Sequence, residues 1–276
     1  MIRVALLSLA LATPALAEET ARIITLGGSV TEIAVALGAR DRLVARDSTS
    51  NFPESIEALP DVGYIRALSP ENILALDPTL IVAEGDAGPP EAVEVLKAAG
   101  IPFVLVPEAR DPGGVVAKIT AVAHALDLPG EALASDVQAG LEAAARQAAE
   151  VEAPKRVLFI LSLQGGGVMA GGEATEAEGI IHLAGGINAA AGFRGYKQMT
   201  DEAVLAAQPD VILMMDREGD LSVTNADVLA HPALSQTPAA KAGAVVRMDG
   251  MLLLGFGPRT PEAAQALHAA LYGDGS

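Results

Sequence analysis

Tyr64 and Arg66 are the residues of this chain whose types and spacing most favour metal chemistry. They lie in the glycine-flanked segment Gly63 to Leu68, directly before a capped helix start at Ser69 to Glu71. A tyrosine phenolate is a hard anionic donor that suits ferric iron, and tyrosine also serves as an axial ligand of haem. The positive charge of an arginine two residues away would favour the phenolate. The alternative is a loop tyrosine that packs its ring and donates its hydroxyl to a backbone carbonyl.

Two segments in the C-terminal half offer contacts to a flat ligand. Gln164 to Gly172 is rich in glycine and contains Met169, which would either touch such a ligand or pack in the loop or core. Phe193 to Lys197 combines aromatic faces with positive charges, which suits a planar ring that carries carboxylates. The same segment would serve equally well to brace the fold around it. Its candidate ligand contacts are Arg194, Tyr196 and Lys197.

The N-terminus is typical of an exported protein. Arg3 is followed by an apolar run from Val4 to Leu11 and by the small-residue site Ala15 to Ala17, so we expect a signal peptide over residues 1–17, cleaved after Ala17. The chain contains no cysteine, which excludes disulfides and thiolate metal sites. The sequence therefore predicts a periplasmic protein that is stabilised by its core alone.

Net charge and motif content exclude several functions. With 35 acidic against 18 basic residues the chain carries a charge of −17, which disfavours nucleic acid and anionic membranes as partners. None of the four histidines forms a close ligand pair, so a zinc or manganese carrier is disfavoured. A secreted hydrolase remains an alternative, but no Gly-x-Ser-x-Gly motif is present. We therefore expect a binding protein and no enzyme.

An internal repeat predicts the architecture. Ser69 to Val82 aligns without gaps with Thr200 to Leu213, 131 residues later. Each copy has a hydroxyl N-cap, an acidic first turn, a short amphipathic helix, a proline and a buried strand. Two similar α/β lobes follow from this pattern.

The lobes are expected to be Rossmann-like, with parallel strands that alternate with helices and a ligand cleft between the lobes. Residues 130–151 are rich in alanine, leucine and glutamate without an internal proline, and should form one long connecting helix. One helix between the lobes, in place of flexible linkers, predicts limited hinge motion. The expected boundaries are 18–128 for the N-terminal lobe, 129–152 for the connecting helix and 153–276 for the C-terminal lobe.

These features resemble a known family. The signal peptide, the opening Ile23 to Ile33, the layout of two lobes and one helix, and the acidic helix starts are similar to the helical-backbone class of periplasmic substrate-binding proteins, which serve ATP-driven importers. Within that class, Gly63 to Ser69 and Gly255 to Pro261 resemble the haem-binding branch. The general resemblance extends over about residues 21–271.

The resemblance implies ferric haem b as the transported ligand, with Tyr64 as the ligand of its iron and Arg66 as support for the phenolate. Arg259 would approach the same ligand from the second lobe, and Phe256 belongs to the same segment. Some relatives add a histidine from the second lobe, but the loop 164–172 has none. We therefore expect Tyr64 to be the sole protein ligand, and His182 is the residue most able to overturn this expectation.

Glu71 and Glu202 occupy equivalent positions in the two repeats. In the family one surface glutamate per lobe docks onto the permease, so the resemblance implies that a monomer presents these two to the ABC permease of a haem importer with a cytoplasmic ATPase. The alternative is that each acid simply complements the dipole of its helix. A carrier of cobalamin or of a ferric siderophore would share all of these features but would not need Tyr64 beside Arg66.

Overall fold

The structure of the protein is a computed structural model that describes residues 21–216 and 223–273. The predicted signal peptide, residues 1–17, lies outside the described residues. Within those two ranges, no helix has the length and apolar character needed to span a membrane.

The N-terminal sheet has four strands in the order β2-β1-β3-β4, all parallel. All four residues of β1 are buried, as expected for a strand that is covered by helices on both faces. The strands are β1 (Ile23–Leu26), β2 (Leu43–Arg46), β3 (Leu80–Glu84) and β4 (Phe103–Val106), and the helices are α1 (Gly28–Ala36), α2 (Pro70–Leu74), α3 (Pro90–Ala98) and α4 (Pro112–Leu126).

The C-terminal sheet has the order β10-β9-β5-β6-β8, and β7 pairs in parallel with β5. Strands β5, β9 and β10 are parallel, as the alternating sequence pattern predicts, whereas β6 and β8 add an antiparallel edge that the sequence pattern does not predict. The strands are β5 (Arg156–Ser162), β6 (Val168–Gly171), β7 (Ile187–Asn188), β8 (Tyr196–Met199), β9 (Val211–Met215) and β10 (Val245–Met248). The helices are α6 (Glu176–Leu183), α7 (Asp201–Ala207), α8 (Asn225–Ala230), α9 (Pro238–Ala242), α10 (Gly250–Leu254) and α11 (Thr260–Tyr272).

Helix α5 (Glu131–Ala149) lies between the two sheets in the chain, where the long helix is predicted. It buries Val137, Leu141 and Ala144, a spacing of four and three residues that forms one apolar stripe. It packs against α4 on one side of the molecule and against α6 and α11 on the other. A single helix therefore contacts both lobes.

One hydrophobic core extends through both lobes. It joins Ile33 of α1 and Val122 of α4 to Leu141 of α5, Phe159 of β5 and Leu267 of α11. Separation of the lobes would expose part of this core to water, so its continuity favours the limited hinge motion that the sequence predicts. The predicted fold class, two α/β lobes with a connecting helix, is confirmed, and the exact domain boundaries stay a prediction.

The internal repeat is visible in the backbone. Ser69 and Thr200 both cap their helices through the side chain. Asp77 and Gln208, also 131 residues apart, both adopt left-handed conformations, with φ of 45° and 42°. The two copies thus share a left-handed residue immediately before a proline that cannot continue a helix, although α2 ends at Leu74 and α7 continues to Ala207.

Candidate functional site

A cavity of about 960 Å³ opens between the two lobes. Its walls are formed by residues that follow the parallel strands β2, β3 and β4 of the first sheet and β9 and β10 of the second. The crevice outside the carboxyl ends of parallel strands is the usual ligand position in open α/β folds. The volume lies near the upper end of the range for small-molecule sites, which is about 300 to 1,000 Å³.

Tyr64 and Arg66 meet at the wall of this cavity. The Nη1 atom of Arg66 donates a hydrogen bond of 2.7 Å to the Tyr64 Oη, and the Tyr64 side chain remains 44% exposed. Gly63, immediately before Tyr64, has a φ of +101°, a conformation that is costly for other residues. Partial burial opposes the charge of Arg66, but its contacts with Tyr64 and Asp86 outweigh burial and raise the pKa of Arg66. The tyrosine thus faces the cavity beside a fixed positive charge.

The opposite wall carries a second tyrosine. The Tyr196 hydroxyl donates to Glu176 Oε2 at 3.1 Å, and Glu176 Oε1 accepts a bond of 3.0 Å from Nε of Arg110, which also pairs with Glu108. Because Arg110 follows β4 and Glu176 begins α6, this ion pair joins the two lobes. Burial, with the nearby charge of Glu176, raises the pKa of Tyr196 strongly. The Tyr196 hydroxyl is therefore held as a hydrogen-bond donor to Glu176.

A buried lysine forms a second contact between the lobes. The Nζ atom of Lys118, whose side chain is 2% exposed, lies 2.8 Å from Glu84 Oε1 and 2.8 Å from Ser29 Oγ. It also donates to the Gly255 carbonyl in the C-terminal lobe at 3.2 Å. Lys118, Glu84 and Gly255 all line the cavity. The ammonium group thus neutralises Glu84 and ties α4 to the second lobe.

Arg259 lies elsewhere in this structure. Its Nη2 is 2.9 Å from Glu32 Oε2, and its guanidinium stacks 3.5 Å from the ring centre of Phe52. Burial raises the pKa of Glu32, although Arg259 opposes the shift. Arg259 is not among the residues that line the cavity, so the structure does not bring it to Tyr64.

Four other predicted contact residues also lie away from the cavity lining. Phe256 is 1% exposed and packs in the shared core. Met169 is a partly buried residue of the β6 strand, and Arg194 and Lys197 are exposed. The structure therefore brings together Tyr64, Arg66 and Tyr196 from the predicted set.

His182 is exposed and lines a separate cavity of about 390 Å³ beside Arg110. No histidine lines the larger cavity in the part of the chain that the structure describes. In that same part, no group of three or more histidines and carboxylates is arranged to hold a metal ion.

Several residues at the cavity are not predicted from the sequence. Glu84 and Glu108 are at or just beyond the ends of predicted strands, a position that signals a role at the cleft. No sequence feature marks Lys118 as a cavity residue, because a lysine in a helix is predicted to be exposed. The sequence also does not predict which apolar residues form the walls. They are Ile65, Ala109, Leu161, Met215, Met251 and Leu254.

Glu71 and Glu202 are both exposed in the first turns of α2 and α7. Hydrogen bonds from its own backbone amide and from Thr200 lower the pKa of Glu202. Both carboxylates are therefore positioned at equivalent, solvent-facing points of the two lobes.

Known proteins resemble this chain over most of its length. The periplasmic haem-binding protein BhuT, solved with two haems bound, is 41% identical with a TM-score of 0.86 over 91% of this chain and 97% of its own. The haem-binding protein RhuT from Roseiflexus sp. RS-1, in apo form, is 38% identical with a TM-score of 0.88 over 92% and 98%.

Sequence relatives extend these similarities. An uncharacterised ABC transporter substrate-binding lipoprotein of Bacillus subtilis is 26% identical over 93% of this chain and 82% of its own length. A vitamin B12-binding protein of Yersinia pseudotuberculosis is 42% identical, but over 100 residues that make up 36% of this chain and 35% of that protein. The profile of the family described as periplasmic binding protein matches residues 23–252. By this match and these similarities, the chain belongs to the periplasmic binding protein family, whose members are extracytoplasmic transport components.

Proposed function

We propose that the protein captures ferric haem between its lobes and delivers it to the permease of an ABC importer. One observation carries the proposal: Tyr64, half exposed at the cavity wall, accepts a hydrogen bond from Arg66. A phenolate is a suitable ligand for ferric iron, and Arg66 places a guanidinium directly at the oxygen that would bind it. The haem-binding names of the similar structures support the same cargo.

The cavity walls suit a largely apolar ring. Ile65, Leu161, Met215 and Met251 supply apolar surface, which is the main contribution to binding a macrocycle. Among the residues that the structure describes, the cations that line the cavity are Arg66, Arg110 and Lys118, and each already pairs with a carboxylate. The propionates of haem would therefore point toward solvent at the cleft opening, and Arg194 and Lys197 are exposed cations of the second lobe that could meet them there.

Tyr64 is proposed as the sole protein ligand of the iron. Tyr196 is held as a phenol by Glu176, which makes it a poor anionic donor. Arg259 would support the phenolate only after it exchanges Glu32 for the ligand. Phe256 would act indirectly, through the packing of the core behind the cavity. Met169 would act through its place in β6, where it pairs with Gln198 of β8.

Delivery requires docking to the permease, but no covalent bond is made or broken. We therefore propose that the protein is not an enzyme. Glu71 and Glu202, one exposed acid per lobe, are proposed to contact basic residues of the permease, whose cytoplasmic ATPase would drive uptake. Export to the periplasm with cleavage after Ala17, and a monomeric state, complete the proposal.

Charge reversal of Glu71 and Glu202 together should abolish transport in reconstituted vesicles while hemin affinity is retained. Unchanged transport would refute the docking role.

Cobalamin is the second candidate cargo, because 36% of this chain is similar to a vitamin B12-binding protein. A corrinoid already carries its own axial ligands and would not need Tyr64 as a donor.

A hemin titration monitored by visible absorption tests the cargo, with cyanocobalamin titrated in parallel. Wild type should bind hemin saturably with a ferric tyrosinate spectrum, and Tyr64→Phe should lose that spectrum. Tyr272→Phe is the matched control, because Tyr272 donates its hydroxyl to the Gly185 carbonyl away from the cavity. Saturable binding of cyanocobalamin alone, or an unchanged spectrum in Tyr64→Phe, would refute the proposal.

A further inference from the structure

We propose that Asp86 is a positioning residue that holds the Arg66 guanidinium in place against the Tyr64 hydroxyl. The inference rests on the proposed function, since it assigns a role in preparing the same tyrosine for its ligand. Asp86 lies two residues beyond the end of β3 and forms an ion pair with Nη2 of Arg66. The other terminal nitrogen, Nη1, donates to Tyr64 at 2.7 Å. One planar guanidinium therefore bridges the carboxylate and the phenol.

The backbone fixes the two loops that carry these groups. The Gly88 amide donates to the Ile65 carbonyl at 2.9 Å, and the Leu68 amide donates to the Gly88 carbonyl at 2.8 Å. The Ala87 amide donates in turn to the Glu84 carbonyl at 3.0 Å, at the end of β3. These three bonds tie the segment that carries Asp86 both to the end of β3 and to the Tyr64 loop. The Asp86 carboxylate is a fixed point, whereas Arg66 is a long side chain with many rotamers.

Arg66 needs such an anchor. Its side chain is 55% exposed, so water competes for its donors and a single bond to Tyr64 would not hold one rotamer. Two bonds from the rigid fork leave the guanidinium little freedom. Asp86 is better protected, with 26% of its side chain exposed. The exposed arginine is therefore held by the less exposed acid.

The other carboxylates of the same wall are committed elsewhere. Glu84 neutralises Lys118, and Glu108 pairs with Arg110. The second oxygen of Asp86, Oδ1, is buried and has no hydrogen-bond partner among the described residues. A buried carboxylate oxygen without a partner is uncommon in folded proteins. Stability alone does not explain an acid here, whereas a role in holding Arg66 does.

A double-mutant cycle on the full protein tests the proposal. Asp86→Ala and Arg66→Ala, singly and combined, are titrated with hemin while the tyrosinate band is recorded. Asp86→Ala should weaken affinity roughly tenfold, equivalent to about 1.4 kcal/mol, and shift the band toward that of Arg66→Ala. The double variant should bind no more weakly than Arg66→Ala alone, because Asp86 acts through Arg66. Asp86→Asn, which keeps an acceptor, should restore most of the affinity and the wild-type band.

Glu94→Ala is the control for the loss of an acid, since Glu94 pairs with Lys97 on α3 outside the cavity. Additive losses in the double variant, or a wild-type band and affinity in Asp86→Ala, would overturn the positioning role. An Asp86→Asn variant as impaired as Asp86→Ala would do the same. These outcomes leave the proposed cargo intact if wild type binds hemin and Tyr64→Phe does not. Failure of wild type to bind hemin would instead refute the proposed function.

Discussion

Lys118→Met should destabilise the protein, because it removes one partner of a largely buried ion pair. Methionine keeps an unbranched chain of similar length, so packing changes little while the charge disappears. The change leaves Glu84 without its counter-ion and removes the donor to the Gly255 carbonyl. Loss of one partner from a fully buried pair costs about 3 to 5 kcal/mol. The Glu84 side chain is 18% exposed and faces the cavity, so water would offset part of that loss.

We therefore expect a decrease of about 2 to 3 kcal/mol in the free energy of unfolding. For a protein of this size that corresponds to a fall in Tm of about 4 to 12 °C. Urea denaturation followed by circular dichroism measures the change, with the slope m expected to stay constant. A second variant, Lys118→Met with Glu84→Gln, should regain part of the stability, because the unpaired carboxylate is then gone.

Lys97→Met is the matched control. Lys97 forms an ion pair with Glu94 at 3.0 Å, but both side chains are well exposed. Such a pair contributes less than about 1 kcal/mol. Two results would contradict the prediction: a free energy of unfolding of Lys118→Met within about 0.5 kcal/mol of the wild-type value, or a decrease no larger than that of Lys97→Met. Either result would show that this buried contact does not stabilise the joined lobes.

Three further predictions use other parts of the molecule. Tyrosinate absorbance should titrate equally in wild type and Tyr196→Phe up to pH 11, because burial and the charge of Glu176 raise the pKa of Tyr196. The stability advantage of wild type over Glu32→Gln should grow as pH falls from 7. Burial raises the pKa of Glu32, so the folded protein takes up a proton at a higher pH than the unfolded chain does. The gain in stability should level off below the ordinary pKa of 4.5. Gly63→Ala should cost about 1 to 3 kcal/mol of stability, measured by urea denaturation, and should weaken hemin binding, because its φ of +101° strains a side chain next to Tyr64.

Each of these has a contradicting result. A smaller absorbance change in Tyr196→Phe below pH 11 would mean that Tyr196 ionises normally. A stability difference for Glu32→Gln that shrinks as pH falls would give the opposite sign for its pKa shift. Wild-type stability in Gly63→Ala would show that the loop accepts another backbone conformation. Gly38→Ala is the control for backbone strain alone, because Gly38 has a φ of +85° and lies outside the cavity lining.

Local features of the sequence predicted the parts of the molecule that depend on short spans of chain. The repeat with its hydroxyl caps at Ser69 and Thr200 is one, because capping bonds join residues only three apart. The long helix α5 is another, since helix propensity and an apolar stripe are read within one segment. The pairing of Tyr64 with Arg66 is local for the same reason, because the two residues lie two positions apart in the chain and are directly hydrogen-bonded.

The partners of those residues depend on strand order and loop geometry, which no local pattern states. Asp86 reaches Arg66 from 20 residues away, and Lys118 reaches Glu84 from 34 and Gly255 from 137. Arg259, expected at the ligand, instead pairs with Glu32 across 227 residues. The sequence by itself determined two α/β lobes, the connecting helix and the tyrosine with its arginine. The tertiary structure alone decided which charges meet at the cavity, because Glu84 and Asp86 pair with cations that the fold brings within a few ångströms of them from other segments of the chain.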